Sequence, residues 1–322
     1  MQKLFTTLAI FLVIVFSVSA ASAENKGKKS ANAASVRGKK AVPSAKRATA
    51  QKNKKQPSGK AARKKTKKQL REEAAKSAAE TATQFNDALK KLDSGVPDEV
   101  LEAAQYLGTS DRKEAAHPLM KLLEKGPRSD ITDAAIFALG NIGEADSAPL
   151  LMTYLNHRRP DARIAALFAL EKYRGKEVTA AIEGALRASD RQVRASASLA
   201  LGKRGDVTSV PILFRAFERG VSDAAISIGQ LGSPDDAKRM LSYLGKEDIK
   251  VLLAGFEEFL NRDDFSESAK LNILNRLFDL AGPDVWRFAV SYKASFPPDT
   301  NEEENKVYKL VCRMVRQIKD KQ

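Results

Sequence analysis

Residues 190–213 read DRQVRASASLALGKRGDVTSVPIL, and the parts of that stretch recur along the chain. Asp190 opens it, and Ala197 and Ala200 follow three residues apart. Then come Leu201-Gly202, a second glycine at Gly205 and the run Val210-Pro211-Ile212-Leu213. Upstream, Asp130, Ile131, Ala135, Ala138-Leu139-Gly140, Gly143 and Ala148-Pro149-Leu150-Leu151 keep the same order. Between these copies lies a weaker one, Asp161-Ala162-Arg163, Ala166 and Ala169-Leu170, where Glu171 takes the place of the glycine. Leu107-Gly108 and Leu231-Gly232 mark one further copy on each side. The period is about 31 residues, and helical segments of that length stack as pairs rather than folding round one globular core.

Each part of the repeat has a physical reason. Aspartate is expected to cap the first helix by accepting from free backbone N–H groups. Alanines at steps of three and four let neighbouring helices approach closely. The glycine after leucine is expected to end the first helix, and the glycine three residues on to supply positive φ in the turn. Proline then sits in the first turn of the second helix, where its missing N–H costs nothing.

By these residues the chain resembles the HEAT-like repeat family, in the short form common in bacterial proteins, over about residues 97–246 in five copies. The resemblance implies an all-α fold: an α-solenoid of helical hairpins whose second helices line a concave surface. The outward residues of those helices, Lys121, Thr153, His157, Arg215 and Arg219, are the expected partner-binding strip. The alternative for them is a plain solvated face. Arg163 and Arg194 are expected to bridge to an aspartate or a carbonyl of the adjacent repeat, a role that suits the guanidinium fork.

The flanks extend this frame. Leu70, Ala74, Ala78, Thr81, Phe85, Leu89 and Leu92 recur at helical spacing, so residues 62–95 are expected to form a helix that caps the stack. Beyond residue 246 the period fades into helices over 248–260, 268–280 and 283–296. Thr300 and Glu303 are expected to form a capping box before a last helix that ends near Lys319.

Met1-Gln2-Lys3, the apolar run Leu8 to Val18 and Ala21-Ser22-Ala23 resemble a secretory signal peptide over residues 1–23. The 11-residue run is short against the about 20 that a membrane-spanning helix needs. An uncleaved anchor is the alternative, because Lys26, Lys28 and Lys29 would favour a cytoplasmic flank. Residues 24–71 hold 18 Lys or Arg against one acid, Glu24, while residues 72–322 carry 36 basic against 39 acidic side chains. The basic excess therefore belongs to the N-terminal segment. With Val36 and Val42 its only large apolar residues before residue 61, the stretch 24–61 is expected to be a disordered tail. Lys39, Lys40, Lys54, Lys55, Arg63, Lys64, Lys65, Lys67 and Lys68 are its candidate polyanion-binding groups, acting through charge alone because residues 24–84 hold no aromatic side chain.

Enzyme chemistry finds little footing. The two histidines, His117 and His157, lack metal-ligand spacing, and no phosphate loop or nucleophile elbow is present. The phycobilin lyases use similar repeats, but no motif here is specific enough to carry their activity over. The lone Cys312 reads as a small buried side chain. No cofactor and no small-molecule substrate are expected. The expectation is a non-enzymatic scaffold, exported to the periplasm or cell surface, that binds a protein partner while its tail holds an anionic surface. The alternative is a nucleic-acid-associated protein retained in the cell, its Lys-Ala-Pro-Ser tail resembling those of linker histones.

Overall fold

The computed structural model describes the backbone of residues 67–319 and the side chains of residues 75–318. The expected signal segment, the basic tail and Lys39, Lys40, Lys54, Lys55, Arg63, Lys64 and Lys65 lie outside the described residues, as do the side chains of Lys67 and Lys68. The described residues form 15 helices and no strand.

Helix α1 (Lys67–Lys91) precedes five short pairs. These are α2 (Pro97–Thr109) with α3 (Ala116–Glu124), α4 (Ser129–Ile142) with α5 (Ala148–Tyr154), and α6 (Pro160–Leu170) with α7 (Lys176–Ala185). Next come α8 (Arg191–Arg204) with α9 (Val210–Phe217) and α10 (Ala224–Leu231) with α11 (Pro234–Leu241). The alternation continues through α12 (Ile249–Asn261), α13 (Glu267–Leu280), α14 (Pro283–Ala294) and α15 (Lys306–Lys319). Each even-numbered helix from α2 to α14 packs on the next, giving one unbroken layer. The odd-numbered layer is looser, its closer contacts being α5 with α7, α11 with α13 and α13 with α15. This is an α-solenoid.

One apolar cluster runs from Phe85 to Ile318. Its regular members are Leu107, Leu139, Leu170 and Leu201 from the even helices and Leu119, Leu151, Ile182 and Leu213 from the odd ones, all fully buried. Each contributes about 1.5–3 kcal/mol by leaving water. Among the described side chains of α1 and the residue after it, Phe85, Ala88 and Leu92 are buried, whereas Ala78 and Thr81 of the expected face are exposed.

In three of the copies the glycine after leucine does not end its helix, whereas Gly232 does follow the last residue of its own. Gly108, Gly140 and Gly202 lie inside α2, α4 and α8. A Cβ on Gly140 would stand 2.6 Å from Ala169 Cα, and one on Gly108 would stand 2.8 Å from Ala138 Cα. The missing side chain is what lets successive even helices touch. The left-handed ends belong to the second glycines, Gly143 (φ 65°) and Gly205 (φ 75°). In the fifth pair α10 stops at Leu231, and Gly229 makes the close approach to Gly255 of α12. At Glu171 that slot cannot be filled by a helical side chain. Helix α6 stops at Leu170, whereas α4 and α8 each run three residues past the equivalent leucine.

Capping also differs from expectation. Asp190 does cap α8, its carboxylate accepting from Val193 N at 3.0 Å. Asp130 and Asp161 instead lie in first turns, behind Arg128 and Arg159 at the cap positions. Asp130 is drawn into a two-point pair with Arg128 (2.8 Å each), and Pro160 occupies the opening position of α6. Thr300 and Glu303 form no capping box: Thr300 Oγ1 donates to Pro297 O, and Asn305 Oδ1 caps α15 by accepting from Tyr308 N at 2.9 Å. A reciprocal box occurs at Ser233 and Asp236, opening α11.

Candidate functional site

Lys121, Thr153 and Arg215 stand in one register on α3, α5 and α9, each two residues after a buried leucine (Leu119, Leu151, Leu213). They point to solvent, as does Arg219 just past the end of α9, so three members of the expected strip share a register on the odd helices. Its members differ in what they have left to offer. Thr153 Oγ1 donates to Leu150 O at 2.7 Å, within its own helix. His157 is half-buried, stacks on Tyr154 at 5.5 Å and accepts from Arg159 N at 3.2 Å through Nδ1. Lys121, Arg215 and Arg219 make no side-chain hydrogen bond or ion pair among the described residues, and they carry the row's available charge. In α7 the position falls on Gly184, which interrupts the row.

A cleft of about 390 Å³ opens beside the row, lined by Pro149, Met152, Arg174, Lys176 and Glu177 at the start of α7. Among the described residues no group of three or more His, Cys, Asp or Glu is placed to hold a metal, and no helix is long and apolar enough to cross a membrane. His117 is exposed and Cys312 is buried.

Side chains that bridge repeats escaped the sequence reading. Tyr173 donates to Leu139 O at 2.7 Å, and Tyr292 to Leu260 O at 3.1 Å. Burial pushes both phenols up to about 12. Arg262 donates to Gly229 O and Gly232 O at 3.2 and 2.6 Å. Arg204, only 4% exposed, donates to Leu170 O, Tyr173 O, Gly175 O and Thr179 Oγ1. Burial, then the nearby Arg174, hold its pKa below the usual guanidinium range. Each of these residues reaches back to the closing carbonyls of the preceding even helix, groups a helix end leaves unsatisfied. The available signal was the shared register of Tyr173 and Arg204, 31 residues apart.

The bridging role expected of Arg163 and Arg194 falls to other arginines. Arg159 holds Asp133 (2.7 and 3.2 Å) and Ser129 O (3.3 Å) of the preceding repeat, and Arg128 holds Asp98 at 3.1 Å. Arg194 instead donates to Ala188 O and Ser189 O in the loop before its own helix, and Arg163 Nε is buried without a partner. The cap-position arginines face the previous helix end, whereas positions four residues later face their own loop.

The family profile for HEAT repeats matches residues 86–171 and 150–223. Residues 86–223 are HEAT repeats. The helix pairs α2/α3 to α8/α9 fall within them. The chain is similar to a chain in a homology model of the full-length AP-3 complex: 15% identity, 74% of this chain and 47% of that one, TM-score 0.53. It thus spans about half of that chain's length, and the likeness is one of fold. It is also similar to the complex of CpcE and CpcF of phycocyanin lyase from Nostoc sp. PCC7120, with 18% identity, 72% and 93% coverage and a TM-score of 0.41. An engineered protein matches at 16% identity, 73% and 68% coverage and a TM-score of 0.38. No curated protein matches the chain.

Proposed function

We propose that the chain is a non-enzymatic HEAT-repeat scaffold that is exported and binds a protein partner on its repeats, while its basic N-terminal segment holds an anionic surface. The observation that carries the reading is the unbroken layer of even helices, which presents side chains in rows rather than converging them on one reactive centre. Stacked repeats of this kind offer extended binding surfaces. Lys121, Thr153, His157, Arg215 and Arg219, on the odd-helix side, are the residues assigned to that partner. Residues 24–71 hold 18 basic side chains, and each near an anionic membrane contributes roughly 1 kcal/mol, so a fraction of them suffices as a tether.

Two measurements test this. Residues 1–60 fused to a reporter active only after export should give signal outside the cytoplasm, and its absence there defeats export. The protein should sediment with vesicles of anionic lipid and release as salt rises; equal binding to neutral vesicles removes the tether. A second reading, a nucleic-acid-associated protein, is favoured by the same charge segregation. It requires DNA binding that falls steeply with salt and vanishes when 24–71 is deleted.

A further inference from the structure

A row of apolar side chains crosses the even-helix layer. Phe137, Phe168, Leu199 and Ile226 each stand three residues before the closely packed position of their helix, which is Gly140, Glu171, Gly202 and Gly229 in turn. They fall one per helix on α4, α6, α8 and α10. Phe137 and Phe168 are 40% and 43% exposed, and Leu199 and Ile226 are half-buried. Beside them Ala134, Ala165 and Ala195, also half-buried, keep the surface shallow.

The segment that carries the two middle helices of this row, α6 and α8, is more basic than residues 72–322 together, although residues 129–231, which carry the whole row, are nearly balanced at 13 Lys or Arg against 12 Asp or Glu. Residues 158–204 hold 11 Lys or Arg against 5 Asp or Glu, whereas residues 72–322 together have an acidic excess. Lys172 and Lys203 are exposed along one edge, and Lys203 Nζ lies 5.5 Å above the Phe168 ring. Glu171 is the carboxylate on that edge, half-buried with Lys203 at 3.3 Å. On the other edge Arg158 and Arg191 are exposed beside Asp161.

From this juxtaposition of a periodic apolar row with basic edges we infer that the even-helix face docks an acidic amphipathic helix of a partner protein. The inference rests on the scaffold reading and names the partner's chemistry. Packed helices usually lie about 8–10 Å apart, so three intervals span about 25–30 Å. A partner helix rises 1.5 Å per residue, so apolar side chains six or seven positions apart meet one rung each. Carboxylates flanking that seam meet the basic edges, and a basic helix of the same spacing is repelled.

The test uses the full chain and fluorescently labelled synthetic peptides of about 20 residues, the length set by the span. One has leucines at heptad spacing among glutamates, the second replaces every glutamate by lysine, and the third scrambles the first. Fluorescence anisotropy should show the first bound at least tenfold tighter than the other two. Phe168→Ser should weaken it at least tenfold, and Lys172→Glu should weaken it and flatten its salt dependence, with far-UV circular dichroism unchanged in both. Equal binding of the scrambled acidic peptide means that the basic tail is doing the binding and overturns the inference. Equal or tighter binding of the lysine peptide overturns it, as does indifference to Phe168→Ser. Self-association that Phe168→Ser abolishes names a second copy as the occupant and overturns it too. The two readings fail separately. A partner cross-linked in cells to the Lys121–Arg215 row, with no peptide binding, removes the docking stripe and leaves the scaffold standing.

Discussion

Gly140 and Gly143 are three residues apart and solve different problems. At Gly140 a Cβ would meet the backbone of Ala169 at 2.6 Å, and a backbone cannot swing aside. At Gly143 nothing lies within 4 Å, but φ is 65°. Gly140→Ala should therefore destabilise by overpacking, about 1–3 kcal/mol, and Gly143→Ala by backbone strain, about 1–2 kcal/mol. Asparagine separates the two causes, since it tolerates the left-handed region. Gly143→Asn should be close to neutral in urea unfolding, and Gly140→Asn at least as harmful as alanine. If the two asparagine variants lose stability alike, the distinction is wrong. The sequence made both positions visible and misassigned the first, because glycine near a helix end usually marks the stop. Only the neighbouring helix shows that the real constraint is contact.

Glu171 occupies the same slot and has a pH signature. Burial raises its pKa, and Lys203, 3.3 Å from Oε1 without hydrogen-bond geometry, offsets only part of that effect. A carboxyl held above its ordinary value binds its proton more tightly folded than unfolded. Its contribution is complete below the ordinary glutamate range and is lost as pH rises through the raised value. Glu171→Gln should therefore gain on the wild type as pH rises from the ordinary glutamate range through the raised value. A melting-temperature difference that is flat over that range would contradict the assignment.

Between elements, the bridging side chains hold helix ends that caps leave open. Arg204 serves acceptors on both sides of the turn that follows α6, which ends early at Leu170. A lysine has one head group and cannot reach them together. Arg204→Lys should cost about 2–3 kcal/mol and Tyr173→Phe about 1 kcal/mol in chemical denaturation, the first leaving Tyr173 O without its donor. A neutral Arg204→Lys would mean that water takes over those acceptors. The helices themselves were legible from leucine and alanine spacing. Their caps were less so, since Asp130 and Asp161 have the right chemistry two residues past the cap position. The competing arginines Arg128 and Arg159 decide the matter through partners about 30 residues away.

At the level of the whole chain, the stack could be foreseen because every copy repeats the same buried leucines. The apolar row on the even helices could not, since in the sequence Phe137 and Phe168 look like further core residues. The stack also predicts how truncation behaves. Helix α15 buries Val307, Val311, Met314 and Ile318 against α13 and α14. Ending the chain before Lys306 should uncover that face while leaving distant repeats folded, because contacts are nearest-neighbour. Light scattering should show association with helicity per residue retained. Wholesale loss of helicity would instead mean that the repeats fold as one indivisible unit.

The early end of α6 gives the array a seam. On either side of it a glycine lies in the helix-to-helix contact, whereas here a half-buried carboxylate holds the glycine's position and Arg204 bridges back to the earlier helix. Stretched between its ends in an optical trap, the chain should part first at this place, leaving two blocks that refold independently. A single rip with no intermediate would show that the seam is as strong as its neighbours.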